Sequence, residues 1–154
     1  MVAFSHFQFD YLIGHQTFFM SNMFPQAINF NQKIGSLSKI DSIINKIRGS
    51  VQEIHVYSGL IGATMHQSIF MSHGVQIPNQ VWRVVYVIHD SLKEEVIGWI
   101  FPNDNTSIGK NINTFIETLN FIENRVYVGF ALIPFKLKTL NKQQLLAQCI
   151  TFCG

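Results

Sequence analysis

The chain has 154 residues, 47% hydrophobic and 13% charged, with 14 Phe; that composition excludes intrinsic disorder and suits one domain with a core of its own. A formal net charge of +2 is too mild to announce a nucleic-acid partner by bulk charge. No run of about 18 uncharged apolar residues occurs, which argues against a membrane span.

In chain order, the opening MVAFSHFQFD has no basic lead before a clean apolar stretch, so it does not read as a signal peptide. Phe4 to Phe9 alternates aromatic and polar residues as a strand does, Gly14 breaks the pattern, and Gln16 to Met20 is a second short apolar run. Ser21 to Pro25 is turn-like. Ile34, Leu37, Ile40, Ile44 and Ile47 recur at three- and four-residue steps, which predicts an amphipathic helix from about Phe30 to Arg48, stopped by Gly49. Glu53 to Ser58 is expected as a strand ended by Gly59. Val81 to His89 and Glu95 to Phe101 are β-rich runs separated by a polar stretch, a predicted hairpin. Pro102 to Gly109 has loop chemistry. Phe115 to Val128 is expected to hold a short helix, and Lys142 to Phe152 another. Cys149 and Cys153 are read as free thiols in a frayed tail. Strands and helices mix without βαβ alternation, so the expected class is α+β.

No G-x-S-x-G elbow, phosphate-binding glycine loop or H-E-x-x-H helix is present, and the six histidines are scattered. The unusual stretch is HQTFFMSNMFPQAINFNQ, His15 to Gln32, which keeps carboxamides among aromatics. Within it, Ser21-Asn22-Met23-Phe24-Pro25-Gln26 and Asn29-Phe30-Asn31-Gln32 resemble the paired signature of the DNA/RNA non-specific endonucleases, members of the ββα-metal nuclease superfamily. Further pieces come in the same order as in that family: Val56-Tyr57-Ser58-Gly59, then Ile77-Pro78-Asn79-Gln80-Val81-Trp82-Arg83-Val84-Val85, then Ile100-Phe101-Pro102-Asn103-Asp104, with Phe121-Ile122-Glu123 a weaker echo. The resemblance is strongest over residues 1–130, within a single partial domain spanning 1–154.

The resemblance implies a central antiparallel sheet with flanking helices and a Mg²⁺-dependent hydrolysis of DNA and RNA, contacted through the backbone. A hard Mg²⁺ takes oxygen ligands and keeps most of its waters, so one carboxamide suffices as direct protein ligand. In the family that residue falls on Asn31, which as plain sequence would also serve at a helix start. Asn22 is implied as a brace of the site, or else a turn residue before Pro25. The family Glu that organises metal-bound waters falls, ungapped, on Lys39, and the Arg one turn later on Ile43; neither side chain serves. A slip of two residues brings Asp41 to the Glu position, with a solvated helix residue as the alternative.

The family's general base is a His within D-R-G-H, and that motif is not in these residues. Met1 to Phe7 aligns with the family residues immediately after that histidine, so no catalytic base is assigned here and the N-terminal part of the fold is expected to be missing. Neither His6 nor His15 has a family precedent as substitute base. The sequence therefore carries two functional expectations. One is a nuclease-family protein with an incomplete active site, and the other a non-catalytic nucleic-acid-binding or structural protein that keeps the nuclease fold. Family members are often exported or placed in organelles; the sequence itself assigns no compartment.

Overall fold

The computed structural model describes residues 24–27, 30, 35–62, 69–70 and 76–152. The expected strand at Phe4 to Phe9, the run Gln16 to Met20, and Asn22, Asn29, Asn31, His6 and His15 lie outside these residues.

Helix α1 (Ser36–Ile47) buries Leu37, Ile40 and Ile44 on one face, as its periodicity predicts; Ile43 is buried as well, and Ile47 is only half-buried. It starts later than Phe30, because Gly35 is extended (φ −75°, ψ 157°) and forms its N-cap without a side-chain hydrogen bond. Four antiparallel strands come next in the spatial order β1 (Glu53–Ile61), β4 (Gln80–Ile88), β5 (Glu94–Pro102) and β6 (Ile116–Glu117). A separate ladder joins β2 (Ile69–Phe70) to β3 (Gln76–Ile77). Helices α2 (Leu119–Val126), α3 (Phe135–Lys138) and α4 (Lys142–Phe152), with two 3-10 turns at Asn105–Ser107 and Ile112–Phe115, complete the described elements.

The expected β4–β5 hairpin forms, with Gln80 opposite Pro102 and Ile88 opposite Glu94. Both strands are buried on both faces through their middles, so the sheet is the central layer. Side chains alternate across it. Arg83 and Phe101 face α1 and its leading segment, as their contacts with Asp41 and Phe30 show. Trp82 faces the other way, onto Phe130.

Contrary to expectation, Gly59 does not end β1 but lies inside it, opposite Trp82. A Cβ at this position would sit 2.6 Å from the Trp82 indole nitrogen, so the bare backbone makes room for the ring. Short β6 reaches only Gly98 and Trp99 of β5. The backbone N–H of Val96, beyond it, donates instead to Gln148 Oε1 on α4 at 3.1 Å.

The thiol expectation is corrected. Cys149 is fully buried on α4 and is held in a disulfide, and none of the described cysteines is free. The helix packs against β5 and β6, so this stretch is part of the core instead of a frayed tail.

Candidate functional site

The inner face of α1 meets the sheet through charge. Asp41 projects from the middle of the helix onto β4, where the Arg83 Nη1–H donates to its Oδ1 at 2.5 Å. Arg83 Nε–H donates to Ser58 Oγ on the neighbouring strand at 3.1 Å. Arg83 and Asp41 are only 4% and 9% exposed, so an apolar layer surrounds the pair. A buried guanidinium needs its carboxylate far more than a surface one does, and the match fixes the rotation of α1 over the strands. Ser36 Oγ–H reaches Ser107 O at 3.4 Å at the start of the same helix.

The segment leading to that helix is pinned to the end of β5. Asn103 Nδ2 donates to Pro25 O at 3.0 Å and to Pro78 O at 2.8 Å. Its Oδ1 accepts the Ala27 N–H at 3.1 Å, and its own N–H donates to Asn79 O at 2.8 Å. One carboxamide thus uses both its donors and its acceptor to join three backbone segments. Phe30 adds a second anchor: it is fully buried and meets Phe101 edge-on, with ring centroids 6.4 Å apart. Asn31 is the next residue in sequence. A cavity of about 410 Å³ opens beside the clamp, lined by Pro25, Gln26, Ala27, Ile77, Asn103, Asp104 and Asn105.

On the far face of the sheet, Glu123 of α2 accepts the Phe130 N–H at 2.8 Å and pairs with Lys138 at 2.9 Å. Burial pushes its carboxyl upward, but these two partners outweigh burial and hold it below its ordinary range. Phe130 is thereby set against Trp82 and Tyr57. Nearby, Tyr86 donates to Glu94 at 2.5 Å, and burial, then that bond, pushes its hydroxyl pKa up to about 12.

Each family motif within the described residues has a physical task. Ser58 receives Arg83, Gly59 clears Trp82, Pro78 and Asn103 meet in the clamp, and Glu123 holds Phe130. Of the expected site residues, Asp41 is described, and it is not a solvated helix residue: it is buried and paired. Asn22 and Asn31 lie outside the described residues. Among the described residues, no group of three or more His, Cys, Asp and Glu side chains comes together to hold a metal. The oxygen of Asp41 nearest the sheet is taken by Arg83. The described residues therefore frame a site without providing a divalent-cation ligand set.

Sequence reasoning placed Arg83 and Asn103 within motifs but gave neither a role. The signals were present. An arginine inside the apolar run VWRVVY needs a buried anion, and an Asn closing an apolar strand needs backbone partners.

The sequence model of the DNA/RNA non-specific endonuclease family matches residues 1–135. Among solved structures, the fold is similar to a chain in the "Crystal structure of the EndoG/EndoGI complex: Mechanism of EndoG inhibition". The TM-score is 0.62 at 16% sequence identity, over 86% of this chain and 55% of that one. The likeness is thus one of fold, and the chain spans about half the length of that neighbour. No curated protein matches the sequence.

Proposed function

Since the chain belongs to the DNA/RNA non-specific endonuclease family, we propose that it engages DNA and RNA through their phosphodiester backbone at a Mg²⁺ site built on Asn31. Asn22 braces that site, and Asp41 orients helix α1, which follows the signature segment in sequence. The observation behind this reading is the Asn103 clamp. It ties the signature segment, at Pro25 and Ala27, to two other family motifs, a costly arrangement for a segment without a task. When bound, the cation supplies a positive charge against the phosphoryl oxygens. The chain's own contribution is positioning: Asn103 anchors the segment at Pro25 and Ala27, Phe30 anchors it at the residue before Asn31, and Arg83 holds the helix.

The 154 residues contain no D-R-G-H motif. We therefore propose that the chain binds nucleic acid but hydrolyses it slowly, for want of a positioned general base. The deciding assay is relaxation of supercoiled plasmid with Mg²⁺ and with EDTA, beside a binding titration in EDTA. Binding with weak, Mg²⁺-dependent nicking is expected. Robust nicking refutes the incomplete site and returns His6 and His15 to consideration, and absence of binding refutes the nucleic-acid reading. A second reading, a binding protein that has given up hydrolysis, draws on the engagement of Asp41 by Arg83. It requires nicking to be indistinguishable between Mg²⁺ and EDTA.

A further inference from the structure

Along the outer side of α1 runs a groove of about 510 Å³, lined by Lys39, Ser42 and Lys46 of the helix and by Gly109, Lys110 and Asn111 of the loop before β6, with Ile43 and Ile112 as its floor. Among the described residues, three lysines line it and no carboxylate does. The other described lysines behave differently. Lys93 pairs with Glu95, Lys136 with Glu94, Lys138 with Glu123 and Lys142 with Glu117. Among the described residues, the lysines without an acidic partner are those of this groove. Lys39 Nζ donates across it to the backbone carbonyl of Lys110 at 3.1 Å, which holds the helix ammonium against the loop that carries the third lysine.

The helix dipole accounts for Lys46, in the last turn of α1, but not for Lys39, which closes the first turn, the end at which the dipole disfavours a cation. Like charges gathered in one cleft repel each other, and an anion that bridges them relieves the repulsion. Lys39 and Lys46 lie two turns apart on one stripe of the helix, about 10.5 Å at 1.5 Å per residue. That separation is roughly the rise of three nucleotides at about 3.4 Å each along one strand. The stripe lies across the helix from Asp41, so the groove and the ion pair occupy opposite sides of α1.

We infer that the groove between α1 and the 109–112 loop is a second nucleic-acid contact, in which Lys39, Lys46 and Lys110 track the phosphates of one strand leading away from the signature segment. The contact reads charge and spacing only, so it takes DNA and RNA alike and carries no base preference. This inference rests on the nucleic-acid reading above and extends it to a named surface.

Fluorescence anisotropy of a labelled DNA duplex, and in parallel of a labelled RNA duplex, titrated with the 154-residue chain in EDTA across 50–200 mM KCl, tests it. In the Lys39→Gln/Lys46→Gln/Lys110→Gln variant, three lost phosphate contacts at about 0.9 each flatten the log–log salt slope by roughly 2.7, and affinity at the lowest salt falls about tenfold or more. The charge-matched variant Arg125→Gln/Lys136→Gln/Lys142→Gln, changed around α2 to α4, keeps the slope of the unmodified chain. Lys46→Gln alone alters one exposed side chain, so misfolding does not cloud its expected slope change of about 0.9. If the groove variant binds like the unmodified chain, or if both triple variants weaken equally, the groove is refuted while the nucleic-acid reading stands. If the unmodified chain binds neither DNA nor RNA at the lowest salt, the nucleic-acid reading itself fails and the groove with it.

Discussion

Replacing Asn103 tests whether one carboxamide holds the signature segment in place. Asn103→Ala removes two donated bonds, to Pro25 O and Pro78 O, and one accepted from Ala27 N–H. At about 1 kcal/mol net for each bond, and with partly buried carbonyls left to find water, the loss is about 2–3 kcal/mol. Asn103→Asp is more informative. It keeps an acceptor for Ala27 but sets a carboxylate oxygen against two carbonyl oxygens that sit 3.0 and 2.8 Å from the amide nitrogen in the unmodified chain. At pH 8 this costs about 1–2 kcal/mol beyond the Ala variant, because a donor has become a charged acceptor. The folded state then favours the protonated carboxyl, whose pKa rises above the unfolded value of about 3.9. Folded protein binds more protons than unfolded, so the variant regains stability relative to the unmodified chain as pH falls through that raised pKa towards about 4. Urea unfolding of all three proteins at pH 8 and at mildly acidic pH measures both effects. An Asn103→Ala loss below about 0.5 kcal/mol, or an Asn103→Asp deficit that does not change with pH, refutes the clamp.

Three other outcomes are expected from the same geometry. Arg83→Met withdraws the guanidinium from buried Asp41 and is expected to cost about 3 kcal/mol or more in urea unfolding, with part recovered by adding Asp41→Leu; a cost under about 1 kcal/mol contradicts the pairing. Glu94, Glu95 and Glu123 are held below their ordinary value of 4.5. For Glu94 the cause is its bond to Lys136, and for Glu95 and Glu123 it is partners that outweigh burial. Their stabilisation is present above about pH 4.5 and is lost as pH falls through the lower folded values, so Glu123→Gln flattens the acid limb of a stability–pH profile. Tyr86, raised to about 12 from 10.0, contributes stability that is complete below pH 10 and drains away as pH climbs towards 12. Ultraviolet difference titration tracks its ionisation, and Tyr86→Phe removes this part of the alkaline loss.

Much of the fold is local and was readable on that account. The spacing of Leu37, Ile40 and Ile44 announces α1, and the β-branched runs flanking a polar stretch announce the β4–β5 hairpin. Helix α4 keeps the expected bounds, Lys142 to Phe152. Each depends on near neighbours in the chain, where periodicity carries the information. The misread positions depend on distant ones. Gly59 looks like a terminator until Trp82, paired with it across the sheet, lays an indole over its missing side chain. Cys149 looks like tail until α4 folds back on β5 and β6.

The candidate site divides in the same way. Ordered motifs place the chain in its family and name Asn22, Asn31 and Asp41, because motif order survives in one dimension. They do not tell what Asp41 faces. Helical spacing gives an angle around an axis, and an angle does not say whether solvent or an arginine lies opposite. The sheet decides that by bringing Arg83, 42 positions away in sequence, to 2.5 Å from the carboxylate. Asn103 is the same case at longer range, closing onto Pro25 across 78 positions. The lysine groove is another, since Lys39 and Lys110 meet only because the loop before β6 returns to the helix. Hydrophobic order along the chain was sufficient to build the layers. The partners of buried charge and of single carboxamides were settled only by how those layers stack.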